Sequence, residues 1–174
     1  MTFKPMALVL TGAVLLGASQ QATAQTVCTG NPCSLTNTVS ATVSAQLKLT
    51  ISSATTTLTS PDTTAFNQGF QDDPSVLTTT VKANTGWSLN VKAAAATWTG
   101  SGGARAAKPA GDLQWSKTGG APYTALTTSN ALVATSGSGT SGTTTTISYR
   151  TAWDYTLDTP GTYQLGVVFT LSAP

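Results

Sequence analysis

The sequence predicts an all-β fold, an antiparallel Greek-key (immunoglobulin-like) β-sandwich of roughly eight to ten short strands. Three observations carry this. Apolar residues recur with period two and nowhere with a sustained helical period. Clusters of Gly, Pro, Asn, Asp and Ser interrupt these runs at short intervals. The polar positions between them are filled largely by Thr, whose β-branch suits a pleated surface.

In chain order, Val39, Ala41 and Val43 form the first alternating run, and Leu47, Leu49 and Ile51 continue it around Lys48 and Thr50. The turn Ser60-Pro61-Asp62 follows, then Asp72-Asp73-Pro74, then the run Leu77, Thr79, Val81. Trp87, Leu89 and Val91 follow the turn Asn84-Thr85-Gly86, with Ser88, Asn90 and Lys92 on the opposite face. Leu113 and Trp115 mark a short strand. Leu132–Ala134 suggests another, and Ile147 with Tyr149 a further one. Tyr163, Leu165, Val167, Phe169 and Leu171 form the last and longest alternation. The Gly/Ser/Thr/Ala-rich stretches 100–111 and 136–146 read as long mobile loops of one domain. No segment reads as a helix of useful length; the run Ala93–Ala96 ends a strand.

Met1–Ala24 has the layout of a secretory signal peptide: Lys4, the apolar stretch MALVLTGAVLL, and the small-x-small cleavage site Ala22-Thr23-Ala24. Its apolar run is far shorter than the roughly 20 residues that span a bilayer. No membrane span is expected after cleavage. The mature chain would begin at Gln25 and hold about 150 residues, the size of one domain. The expected organisation is a signal peptide over 1–24, an N-terminal arm over 25–36 and a single sandwich over 37–174. Secretion to the extracellular space or cell surface, or residence in the periplasm, follows from export. In that setting Cys28 and Cys33, separated by the turn formers Gly30, Asn31 and Pro32, are expected to form a disulfide.

Composition narrows the chemistry. There is no His, and the six acidic residues are all Asp. Charged residues make up 8% of the chain, against roughly 25% in typical proteins. Loss of Lys4 would take the formal charge from +2 to +1. A His-based triad or Cys–His dyad is excluded, and the S-x-x-K spacing of Ser–Lys enzymes does not occur. The near-neutral surface lacks the basic footprint of nucleic-acid binding. The only acid clusters, Asp72-Asp73 and Asp154 with Asp158, occupy turn-like positions. No catalytic residue, cofactor or metal is therefore expected.

The hexapeptide Asp158-Thr-Pro-Gly161-Thr-Tyr163 resembles the tyrosine corner of immunoglobulin-like sandwiches, with one extra residue between Asp and Gly and with Leu165 where that family carries Cys. The resemblance implies that the Tyr163 hydroxyl ties the corner back to the backbone. The signal peptide, the Thr/Ser/Gly-rich body and the closing Pro-Gly-Thr-Tyr strand are together similar to small exported bacterial surface proteins of the spore-coat-U and fimbrial-subunit kind.

Two functional expectations follow. The first is a non-enzymatic structural subunit of an appendage, coat or matrix, whose partners are copies of itself or other surface proteins. It would associate through its terminal strand regions, Asn37–Ser53 and Gly161–Ala173, because terminal strands are placed to complete a neighbour's sheet. The alternative is a secreted module that binds polysaccharide by stacking sugars on exposed aromatics, with Trp98, Tyr123, Trp153 and Tyr155 as candidates; Trp87 and Trp115, alternating with Leu, are expected in the core.

Overall fold

The structure is a computed structural model that describes Val27–Pro174. The expected signal peptide over 1–24 and the expected mature terminus at Gln25 lie outside these residues. Residues 27–42 belong to a unit distinct from the compact unit Val43–Pro174. Within the first, Cys28 and Cys33 stand at disulfide distance with Cα atoms 5.8 Å apart, and the chain from Ser34 to Thr42 is exposed and carries no helix or strand. The alternation Val39-Ala41-Val43 is thus not a strand in this structure: β pairing needs a neighbour, and β1 starts only at Leu47.

The compact unit is an all-β sandwich of antiparallel sheets. β1 (Leu47–Ile51), β2 (Phe70–Ala83), β8 (Thr140–Ala152), β5 (Leu113–Ser116) and β6 (Thr124–Ala125) form one sheet in that spatial order. β10 (Val167–Ser172), β3 (Trp87–Ala93) and β7 (Ala131–Ser136) form the second, and β4 (Thr99–Ser101) pairs with β9 (Thr162–Gln164) in a third. The core lies between the sheets. Leu77, Val81, Ile147 and Tyr149 meet Trp87, Leu89, Val91 and Val133 there, and Leu113 and Trp115 join from β5. The perfect in–out alternation of β3 shows why its sequence reads so clearly: every second residue is buried.

Five sequence expectations are corrected. The last alternation, from Tyr163 to Leu171, is not one strand: it breaks at Leu165-Gly166 into β9 and β10, which lie in different sheets. The Asp72-Asp73-Pro74 turn is instead part of the 14-residue β2. Pro74 is accommodated by a register shift between Asp73 and Leu77, with Ser75 at φ 56°, where its N–H leaves the ladder to bond Ser148 Oγ at 2.9 Å. The stretch 136–146 is a tight crossing followed by a strand, because four successive Thr pair with β2: Thr78 faces Thr146 and Thr80 faces Thr144. The stretch 100–111 is likewise structured, by β4, by the bridge between Thr97 and Pro109, and by a 3-10 turn, Ala110–Asp112. A short helix, α1 (Thr63–Gln68), follows Asp62, whose carboxylate caps it by accepting from Ala65 N at 2.8 Å; Gly69 ends it at φ 81°.

The chain crosses between sheets at 84–86 and again at 137–139, and the two crossings touch. A Cβ on Gly139 would sit 2.6 Å from Ala83 O, so only glycine fits.

Candidate functional site

Three places concentrate the features a function could use. The first is an open seam. β1 ends one sheet and β10 ends the other, and among the described residues neither has a second strand neighbour. On β1, Leu47, Leu49 and Ile51 stand opposite Ala83, Val81 and Thr79 and therefore face inward. On β10, Val167, Phe169 and Leu171 stand opposite Ala93, Val91 and Leu89. The partners on β3 are 0–1% exposed, yet every inward side chain of β10 is only half-buried, and Leu47 and Ile51 are 36% and 39% exposed. The core is incompletely covered along this side, and among the described residues the outer backbone edge of each strand has no sheet partner.

The second place holds aromatic side chains. Tyr155, 61% exposed, stacks on Phe66 of α1 with centroids 4.7 Å apart, and Trp153 tilts against Phe66 at 6.1 Å. Of the four aromatic candidates, the structure brings together Trp153 and Tyr155. Tyr123 lies elsewhere, 4.5 Å from the guanidinium of Arg150, which also lies over the Phe70 ring at 3.7 Å; Arg150 also holds Asp72 through two hydrogen bonds, of 2.6 and 2.8 Å. Burial and the Asp72 carboxylate push the Tyr123 phenol up. Trp98 is not a surface platform: it is 8% exposed, packed in the core, and its indole N–H donates to Pro109 O at 3.1 Å. The turn glycine beside it suggests exposure, but the Thr97–Pro109 bridge folds the ring inward.

The third place is the corner at β9. Tyr163 Oη donates to Thr159 O at 2.6 Å and accepts from Arg105 N at 2.9 Å. Gly161 is packed so closely that a Cβ would collide with Ala104 N and Ser101 O. Asp158 turns inward. Its carboxylate accepts from Lys108 Nζ at 2.9 and 3.0 Å and from Asp154 N at 2.9 Å. Arg105 and Asp112 complete a cluster of two cations and two carboxylates. Nearby, the Thr156 hydroxyl and N–H hold the exposed Asp154 carboxyl below its usual value.

Sequence reasoning missed Lys108, which is fully buried, and Phe66. The flanking residues Ala106, Ala107, Pro109 and Ala110 are the one local hint of a pocket for a long side chain. For Phe66, the cap Asp62 with Gly69 seven residues later signals the helix that presents it. Among the described residues no helix is long and apolar enough to cross a membrane, and no group of three or more metal-ligating side chains is present.

Fold and sites together define an all-β sandwich with one uncovered side, an aromatic surface patch and a buried ionic corner. The sequence matches none of the known protein families and no curated protein.

Proposed function

We propose that this protein is an exported, non-enzymatic structural subunit of a surface appendage, coat or matrix that self-associates by strand addition, as spore-coat-U-type and fimbrial subunits would. The observation that carries the reading is the pairing of an incomplete core with a segment suited to complete it. The inward row of β10 is half-buried, and on β1 Leu49 is half-buried while Leu47 and Ile51 are exposed. The exposed chain ahead of β1, in turn, presents Val39 in the arm and Val43 just past it, at 85% and 80% exposure and in the same period-two phase as Leu47, Leu49 and Ile51. An arm from a second copy laid along the edge of β10 gains backbone hydrogen bonds and places alternate side chains over Val167, Phe169 and Leu171. The low charge of the chain opposes such association weakly.

Light scattering on the chain from Gln25 onward, with negative-stain images of the same fractions, tests this. Ordered polymers that disappear when Gln25–Thr42 is removed are the expected result. A monomer at every concentration, or polymers that survive the truncation, refutes strand exchange through the arm.

A second reading, polysaccharide binding, draws on the exposed Tyr155–Phe66 stack beside Trp153. Glycans that quench or shift Trp fluorescence, with the response lost in Tyr155→Ala, would favour it; silence across a broad glycan panel would remove it.

A further inference from the structure

Lys108 is an unusual residue for this chain. In a protein with eight cationic residues in all, it is the one placed at 0% exposure among the described residues. Its backbone is fixed on both sides: Trp98 N donates to Lys108 O at 2.8 Å, and Ala110 N donates to Ala96 O at 2.8 Å. Its side chain passes over the Trp153 ring, with Nζ 4.4 Å from the centroid and 5.8 Å from that of Tyr163. Nζ ends among Ala152 O at 2.7 Å, both Asp158 oxygens at 2.9 and 3.0 Å, and Asp112 Oδ2 at 3.2 Å.

An ion pair alone does not require this arrangement. Burying two charges costs as much as or more than their attraction returns. An amine 2.9 and 3.0 Å from the two oxygens of a buried carboxylate, next to a second carboxylate and shielded from water, is also placed to form an amide. We propose that Lys108 and Asp158 are joined by an intramolecular isopeptide bond, Nζ to Cγ, formed by the folded protein itself with Asp112 as proton carrier.

The residues present supply each step. The neutral pair forms when one proton passes from Nζ to Asp158 Oδ1 along their 2.9 Å hydrogen bond. The Nζ lone pair then attacks Cγ. Negative charge develops on Oδ2, where Asp154 N–H already donates at 2.9 Å. Asp112, 3.2 Å from Nζ, takes a proton from the attacking nitrogen and returns it to Oδ1. The Cγ–Oδ1 bond breaks and water leaves, next to the Arg105 guanidinium that lies 3.4 Å from Oδ1. One C–N bond is made, one C–O bond is broken, one water is released, and no oxidant or cofactor is consumed. The fold has already met the entropic cost of bringing the two groups together, which is what makes such reactions fast within a structure. The single N–H left on the amide nitrogen retains Ala152 O as its acceptor. Burial then keeps hydrolytic water away from the product.

Intact-mass measurement of the full mature protein, unfolded and reduced, reads the bond directly. The expected mass is about 18 Da below that of the linear chain, one water, with a tryptic digest containing a branched peptide that links the Lys108 and Asp158 segments. Asp112→Asn keeps both reacting groups and is expected to show the full linear mass with an unchanged near-UV circular dichroism spectrum. A wild-type chain at full linear mass overturns the proposal and leaves an ion pair. So does a mass loss without the branched peptide, since an aspartyl succinimide loses the same water. A branched peptide that persists in Asp112→Asn overturns the role of Asp112. The wild-type readout needs no variant to fold.

Discussion

Val39→Thr combined with Val43→Thr isolates the apolar part of strand addition. Thr has nearly the shape and β-propensity of Val, so the arm keeps its capacity for backbone pairing while two methyl groups become hydroxyls. In the free subunit both side chains are in water, at 85% and 80% exposure, so the stability of the sandwich is expected to change by less than about 0.5 kcal/mol. In the proposed assembly both would sit over the half-buried row Val167, Phe169, Leu171. Each hydroxyl buried there without a partner costs roughly 1–3 kcal/mol. Two sites cost roughly 2–6 kcal/mol, and since each 1.4 kcal/mol is about tenfold, association weakens roughly 30-fold to 10⁴-fold. Sedimentation velocity across a concentration series reads the change, and urea unfolding of the same samples checks the subunit. Thr38→Ser with Thr42→Ser, on the opposite face of the arm, serves as the control and is expected to leave association intact. Equal weakening in both double variants, or none in the first, refutes the claim that the odd-numbered row is what docks.

Three further outcomes are expected. Tyr163→Phe removes the hydroxyl that donates to Thr159 O and accepts from Arg105 N; the cost by urea denaturation is about 1–3 kcal/mol. Ile147→Ala, at a site with no exposure in the centre of β8, is expected to destabilise by roughly 2–5 kcal/mol in the same assay. Burial pushes the Tyr149 phenol up from 10.0 to about 12, so in an ultraviolet titration it ionises above the ordinary tyrosine range. Because the folded form holds this proton more tightly than the unfolded chain, the associated stability is intact below pH 10 and declines from there through about pH 12. Tyr149→Phe is expected to flatten that part of the alkaline limb.

The parts of the fold that were legible in the sequence are those where burial alternates strictly. β3 is the clearest, since Trp87, Leu89, Val91 and Ala93 are all buried and their neighbours are not. The same alternation made the inward row of β10 visible. It could not reveal that this row is only half covered, because coverage depends on the opposite sheet. Thr143–Thr146 was illegible for a related reason: its polar side chains look like a loop, and only the facing Thr78–Thr80 of β2 shows that they pair. The Asp72-Asp73-Pro74 signal for a turn was locally sound, but pairing with β8 absorbed it as an irregularity inside a long strand. At the candidate sites, Tyr155 and Trp153 were visible as aromatics near a turn, whereas their partner Phe66 needed the helix that Asp62 caps. Lys108 and Asp158 are 50 residues apart; the Ala- and Pro-rich flanks of Lys108 hint at a pocket, but nothing local says which residue it meets there.

The threonine pairs across β2 and β8 bear on where such a protein can serve. Thr80 Oγ1 and Thr144 Oγ1 lie 3.4 Å apart on the outer face, where many proteins carry ion pairs whose strength follows salt and acidity. Hydroxyl groups do not ionise at any environmental pH and are not screened by salt. The stretch of that face carrying them keeps the same internal contacts in fresh water and in brine, unlike the Asp72–Arg150 pair farther along the same two strands. For the exported subunit proposed above, that constancy matters because the surrounding medium is not under the cell's control.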